Sequence, residues 1–250
     1  MMNNRIVLIT GATSGIGLAT TRLFAQHSFR LICCGRREKR LNELKDTYGS
    51  QCHTLHFDVS DSKEVFTAID RLPTEFSKID ILINNAGNAH GLDSAESSSL
   101  EDWNAMIDSN IKGLMYVTKA VMSSMINRKS GHIINLGSIA GKEVYPKGSV
   151  YCATKFAVDA FTKGLRLDLN PYGIKVSAIH PGLVETEFSL VRFKGDQQKA
   201  KNVYHGIQPL IAQDIAQCIL FMVTQPKHVN IADLVILPTD QASSVIINRQ

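Results

Sequence analysis

Ile6-Val7-Leu8-Ile9-Thr10-Gly11-Ala12-Thr13-Ser14-Gly15-Ile16-Gly17 is the stretch that decides the fold. Ile6 to Thr10 is a short, almost continuously apolar run, the mark of a strand covered on both faces. Glycines follow at once, and the next segment, 16–27, has helix length and amphipathic spacing. Glycines at such a junction permit a tight turn and let backbone N–H groups approach a pyrophosphate, which then rests on the helix N-terminus. Three glycines alone are a weak signal. Their place between a first strand and a helix points to a dinucleotide-binding turn. Gly11, Thr13, Ser14, Gly15, Ile16 and Gly17 would then touch the cofactor.

The same alternation continues outward. Strand-like runs are Ile6–Thr10, Arg30–Cys34, His53–Val59, Ile79–Asn84, His132–Leu136, Ile174–His180 and Leu234–Leu237. Helix-length segments lie between them at 16–27, 38–48, 62–71, 99–128, 150–170 and 212–224. Regular strand–helix alternation implies βαβ units with right-handed crossovers. The expected fold is α/β, a single-domain, Rossmann-type, doubly wound parallel sheet with helices on both faces, spanning residues 1–250. No linker, low-complexity segment or repeat interrupts it.

Ligands of such sheets lie beyond the carboxyl ends of the strands, so the residues after each strand carry the functional reading. After the second strand stands Gly35-Arg36-Arg37, where an NAD site usually places an acid for the ribose 2′-hydroxyl. Two guanidinium groups there suit the 2′-phosphate of NADP; the alternative is a solvated helix start. Asp58-Val59 after the third strand could meet an adenine edge or cap the next helix. Asn84-Asn85-Ala86-Gly87 after the fourth are small and amide-bearing, suited to a backbone close to a ribose. Strand five leads into Ser138, and thirteen residues on come Tyr151 and Lys155. Tyr151 and Lys155 are i and i+4 and share one helical face. An ammonium beside a phenol lowers the phenol pKa, which makes Tyr151 a candidate acid/base for hydroxyl–carbonyl exchange.

Composition narrows the remaining classes. Of the 250 residues, 44% are hydrophobic and 20% charged, an ordinary globular profile. No run of 18 apolar residues exists, so no membrane span is expected. The start, Met1-Met2-Asn3-Asn4-Arg5, precedes too short an apolar run for a signal-peptide core, and a cytoplasmic location is expected. Five cysteines without C-x-x-C spacing fit a reduced compartment. Cys33 and Cys34, adjacent on a strand, should point to opposite faces. No metal site is expected: there is no H-E-x-x-H, and His53 and His56 would face opposite ways. The net charge of +4 is mild, and neither basic concentration, Arg36 to Arg40 or Arg192 to Lys201, requires nucleic acid. Leu136-Gly137-Ser138-Ile139-Ala140 lacks the G-x-S-x-G of a hydrolase elbow.

Together these residues resemble the short-chain dehydrogenase/reductase family. The resemblance rests on Thr10-Gly11-x-x-x-Gly15-Ile16-Gly17, Asp58, Asn84-Asn85-Ala86-Gly87, Asn110, Ser138, Tyr151-x-x-x-Lys155 and Pro181-Gly182-x-x-x-Thr186, in family order. It implies a catalytic set of Ser138, Tyr151, Lys155 and Asn110. Tyr151 would exchange the hydroxyl proton, and Ser138 would hold the substrate oxygen. Lys155 would bind the nicotinamide ribose and lower the Tyr151 pKa, and Asn110 would hold a water of the proton path. Pro181, Gly182, Val184 and Thr186 would grip the carboxamide, with Asn85, Ala86 and Gly87 also on the cofactor.

Gly35-Arg36-Arg37, Glu185 to Phe188, Val191 to Asp196 and Asn230 to Thr239 further resemble the NADP-dependent 3-hydroxy acid dehydrogenases, including those that oxidise serine. Leu237-Pro238-Thr239-Asp240 replaces the V-D-G-G of acyl-carrier reductases. The implied substrate is a small 3-hydroxy acid whose carboxylate meets Arg192 in a lid after Thr186, and the implied assembly is a homodimer or homotetramer. The alternatives are a reductase of other small ketones or aldehydes and an NADP sensor without catalysis.

Overall fold

The computed structural model describes residues 4–250; Met1 to Asn3, on which the signal-peptide reading partly rests, lie outside them. β1 (Ile6–Thr10), α1 (Gly15–Gln26), β2 (Arg30–Gly35), α2 (Glu38–Tyr48), β3 (Cys52–His56), α3 (Ser62–Asp70) and β4 (Ile79–Asn84) make the first half. α4 (Leu100–Ile107), α5 (Leu114–Arg128), β5 (Gly131–Leu136), α6 (Ser149–Leu169) and β6 (Ile174–Pro181) follow. β7 (Val184–Glu185), α7 (Glu187–Arg192), α8 (Gln197–Asn202), β8 (Leu210–Ile211), α9 (Ala212–Thr224) and β9 (Asp233–Ile236) complete the chain. The main sheet has seven strands in the order β3-β2-β1-β4-β5-β6-β9, and every neighbouring pair is parallel. The order reverses between β1 and β4, which opens the crevice where such sheets bind ligands.

Alternation along the strands builds two cores. On one face Val7, Ile9, Leu31 and Cys33 meet Phe24 of α1, Leu41 of α2 and Ile215, Ile219 and Met222 of α9. On the other, Leu8, Ile32, Cys34 and Leu82 meet Val65 of α3, Val117 and Val121 of α5, and Leu165 of α6. Cys33 and Cys34 thus fall in opposite cores, as strand geometry requires. Each fully buried Leu or Ile contributes about 1.5–3 kcal/mol relative to exposure. Among the described residues no helix is long and apolar enough to cross a membrane.

Three local expectations need correction. The third strand ends at His56, not Val59, because the Asp58 carboxylate accepts from Ser60 N and Oγ and turns the chain. The cap of α3 is Asp61, whose side chain accepts from Lys63 N and Glu64 N, and not Asp58. The expected helix over 99–128 is two helices joined by a π-turn at Asp108–Gly113. Such wide turns collect at functional sites, and this one carries Asn110.

Candidate active site

At the switch point a cleft of about 610 Å³ runs along the strand ends. Gly11 (φ +66°) and Gly15 (φ +49°) turn the chain with left-handed backbone that favours glycine. Gly17 answers a different need: a Cβ there would lie 2.3 Å from Gly11 O and 2.5 Å from Asn85 Nδ2. Asn85 ties this turn to β4, its amide donating to Thr10 O (2.8 Å) and Gly11 O (3.2 Å). Asn84 points the other way and donates to Thr118 and Asn135 in the core. Gly11, Thr13, Ser14, Gly15 and Ile16 line the cleft, as do Asn85, Ala86 and Gly87. Gly17 packs behind them.

Beyond β2 the cleft meets a patch of three arginines. Arg36 pairs with Asp58 at 3.1 Å. Arg37 donates through Nε to Thr13 Oγ1 and pairs with Glu187 at 2.8 Å. Arg40 donates to Thr13 O and pairs with the same Glu187 at 2.9 Å. Asp58 and Val59 lie beside this patch on the cleft wall.

The other end of the cleft holds the chemical residues. Ser138 caps the short turn Ile139–Gly141, its hydroxyl accepting from Ala140 N at 3.1 Å. Tyr151 and Lys155 rise from the first turns of α6, both buried. Lys155 donates from Nζ to Leu136 O at 2.9 Å, and the ammonium lies 5.9 Å from the Tyr151 ring centre. Pro181, Gly182, Val184 and Thr186 close the floor, and Thr186 caps α7 through Phe188 N. Above Tyr151 sit Phe188, with ring centres 5.7 Å apart, and Arg192, whose guanidinium is 4.9 Å from the Tyr151 ring centre.

The family model for short chain dehydrogenases matches residues 5–196. The chain is 45% identical to the NADP-dependent 3-hydroxy acid dehydrogenase YdfG of Escherichia coli K12, over 98% of this chain and 100% of that one. It belongs to the short-chain dehydrogenase family. A second relative of the dehydrogenase, sulfoacetaldehyde reductase 2 of Chromohalobacter salexigens, is 47% identical over 96% of both chains. Among solved structures, the closed form of a serine dehydrogenase complexed with NADP+ superposes with a TM-score of 0.94 at 45% identity, covering 98% of this chain and 100% of that one.

Within this short-chain dehydrogenase burial dominates the electrostatics of Tyr151 and Lys155. Burial pushes the Tyr151 phenol well above its usual value, and Arg192 and the Ser138 side chain pull the other way. Lys155 donates instead to the Leu136 carbonyl. Burial also brings the Lys155 ammonium down to about 8. Asn110 does not line the cleft. Its Nδ2 donates to Asn88 O and Thr154 Oγ1, and its Oδ1 accepts from Asn88 N. Gly87 lets the chain pass close to both Asn110 and Lys155: a Cβ there would lie 3.0 Å from Asn110 Oδ1 and 3.8 Å from Lys155 Nζ.

Some cleft residues escape a reading by strand ends. Arg40 belongs to the basic run, yet only helical spacing, one turn beyond Arg36 and Arg37, could have brought it to the same patch. Tyr145, which accepts from Arg192 NH2 at 2.9 Å, and the salt-bridging Glu187 carry no local signal. The segment after Thr186 folds as α7 and α8, helices too short for periodicity to reveal. It is fastened to the 91–102 segment by Gly91 N donating to Arg192 O and by the Lys194–Asp102 pair at 2.8 Å.

Proposed function

We propose that this dehydrogenase interconverts a hydroxyl and a carbonyl on a small 3-hydroxy acid, with NADP as its cofactor. The residues fit that cofactor: Gly11 and Gly15 turn the chain tightly at the cleft wall, and three guanidinium groups gather past β2, where a 2′-phosphate would lie. Gly11, Thr13, Ser14, Gly15 and Ile16 would take the pyrophosphate, Arg36 and Arg37 the 2′-phosphate, and Asp58 and Val59 the adenine. Asn85, Ala86, Gly87 and Lys155 would hold the nicotinamide ribose, and Pro181, Gly182, Val184 and Thr186 the carboxamide. When bound, NADP supplies or accepts the hydride.

Tyr151 exchanges the substrate proton. A phenol held protonated by burial is ready to donate to a carbonyl oxygen, the direction of reduction. Oxidation needs the phenolate, which Arg192 favours already and Lys155 would favour once drawn from Leu136 toward the ribose. Ser138 donates to the substrate oxygen. Asn110 acts behind the wall, where it would hold a water relaying the proton past Lys155.

The observation that carries the substrate class is Arg192. Its guanidinium stands over the candidate acid/base, and its buried Nε has no partner among the described residues. A fork of donors within reach of the reacting carbon is made for a small anion. The test is an NADPH absorbance panel of 3-hydroxy acids, their carbonyl products and matched neutral alcohols. The 3-hydroxy acids should show the highest kcat/KM. Equal rates on neutral alcohols would overturn the acid reading. The identity to a sulfoacetaldehyde reductase favours one second reading, a small sulfonated aldehyde, since a tetrahedral sulfonate also fits the fork; a higher kcat/KM on that compound in the same panel would select it.

The assembly would be a homodimer or homotetramer in the cytoplasm. Met115 of α5 and Phe156 of α6, 40% and 42% exposed, support pairing through that face. Met106 of α4, Val121 of α5 and Leu165 of α6 are buried in the core instead.

A further inference from the structure

Beneath the Ser138 turn lies a charged cluster that the chemistry above does not use. His180, the last residue of β6 before Pro181, has no exposed surface. Its Nδ1 is 3.2 Å from the backbone carbonyl of Ser138. Its Nε2 is 2.9 Å from Asp233 Oδ1 and 3.6 Å from Asp159 Oδ1. Lys142 closes the group, with its ammonium 2.9 Å from Asp159 Oδ1 and 2.6 Å from Asp233 Oδ2, and Lys163 pairs with Asp159 Oδ2 at 2.7 Å. The spacing of Asp159, His180 and Asp233 is one a metal ion could use, but the chain already sets the Lys142 ammonium against both carboxylates.

The cluster grips the serine turn at both ends. Ser138 begins the turn Ile139–Gly141, and Lys142 follows it directly. At the front, the Ser138 carbonyl can only accept, so His180 holds it by carrying a proton on Nδ1. Burial, then the Lys142 ammonium, keeps the imidazole below its usual pKa against the pull of Asp233, the Ser138 carbonyl and Asp159. The neutral ring has one proton, and Nδ1 is its place, since Nε2, though close to Asp233, is not aligned for a hydrogen bond with any described residue. At the back, two carboxylates hold Lys142. Gly137 shows how closely the ring is fitted: a Cβ there would lie 2.4 Å from His180 Nδ1. Gly137 N also donates to Ile179 O at 2.8 Å, so the chain just ahead of Ser138 is pinned to β6 as well.

We propose that His180 is a positioning residue for the reaction: by donating from Nδ1 to the Ser138 carbonyl, while Asp159 and Asp233 hold Lys142 at the other end of the turn, it aims the Ser138 hydroxyl at the substrate oxygen. This rests on the reading that Ser138 donates to that oxygen. The geometry requires a donor at the Nδ1 position and not merely a polar side chain, which separates positioning from bulk.

The test compares H180N and H180Q, because the amide nitrogen of Asn reaches the place of Nδ1 and that of Gln reaches only the place of Nε2. H180N should keep kcat within about three-fold, while H180Q should lose roughly 10- to 100-fold in kcat, the cost of misplacing a reacting group by an ångström or less. Both should bind NADPH, followed by its fluorescence, within about two-fold of the parent Kd. Equal kcat for the two variants, high or low, would overturn the proposal. In an S138A background, single-turnover rates should be the same with and without H180Q. A further loss there would show His180 acting elsewhere. An S138A enzyme with the parent's full rate would instead overturn the reading of Ser138 on which the proposal stands.

Discussion

The guanidinium of Arg192 lies 4.9 Å from the ring centre of Tyr151, the candidate acid/base. On the proposed reading, that one relationship would join substrate choice to proton transfer, since a cation over a phenol both draws an anionic substrate and favours phenolate. Arg192→Ala should raise KM for 3-hydroxy acids by roughly 10- to 100-fold, the range of one lost charge-assisted contact. KM for neutral alcohols should stay the same. The phenol pKa should move further up, so the oxidation rate of both substrates would reach its plateau at higher pH. Equal KM losses on both substrates, or none on either, would move the anion contact elsewhere.

Tyr151→Phe removes the exchangeable proton and leaves the ring packed against Phe188. Turnover should fall by about 10²–10⁴-fold or more. NADPH binding should be nearly unchanged, because the cleft toward Arg36 is untouched. A variant that keeps more than about a tenth of the parent rate would place the acid/base on another group.

The fold was legible because its signals are local. The apolar runs gave β1 and β4 to the residue, and α2 and α9 likewise, since each is a strand or helix bounded by its own turn residues. Short elements set by distant contacts were not. α7 is held by Thr186 at its start and by the Glu187–arginine contacts across the cleft, and no spacing within 187–192 announces it. The site divides the same way. Residues that end strands, such as Ser138 and Arg36, were found where the sheet delivers them. Tyr145 and His180 meet Arg192 and Ser138 across sequence separations of 47 and 42, and sequence order cannot show that. Spacing places Lys155 near Tyr151, 5.9 Å from its ring centre, but it does not show that the ammonium donates to Leu136 O, since which acceptor it takes is a matter of three-dimensional competition.

His132 supplies a stability prediction. It is buried on β5 with Nε2 2.8 Å from Ser177 Oγ, and burial, with Lys175 and Arg5 nearby, lowers its pKa to about 3. The unfolded chain therefore binds the proton first, near pH 6.5, while the folded one refuses it until about 3. Its effect is absent above pH 6.5 and grows as pH falls, to about 3 kcal/mol at pH 4. Urea unfolding at pH 7, 5 and 4 should show that loss in the parent, and His132→Gln should be flatter by about the same amount. Parallel pH slopes for the two proteins would mean that His132 is not the titrating group.

On the proposed reading, cofactor choice would be set where Arg36, Arg37 and Arg40 gather beyond β2. Carboxylates balance the patch, Asp58 on Arg36 and Glu187 on both Arg37 and Arg40. These pairs are largely exposed, so each is worth little by itself and is readily exchanged for another anion. A 2′-phosphate offers more acceptor oxygens than a carboxylate, and charge-assisted bonds to it contribute about 1.5–3 kcal/mol each. Neutralising Arg36 and Arg37 together should therefore cut kcat/KM for NADP by roughly 100-fold or more, and for NAD by no more than a few-fold. Arg40→Ala should cost less, since its guanidinium also donates to Thr13 O and stands one helical turn further from the β2 end. The discrimination should weaken as salt rises, because exposed charges are screened over about 10 Å at 0.1 M. A parent enzyme that used NAD as efficiently as NADP would show that the three arginines serve only Asp58 and Glu187, and the phosphate reading would be withdrawn.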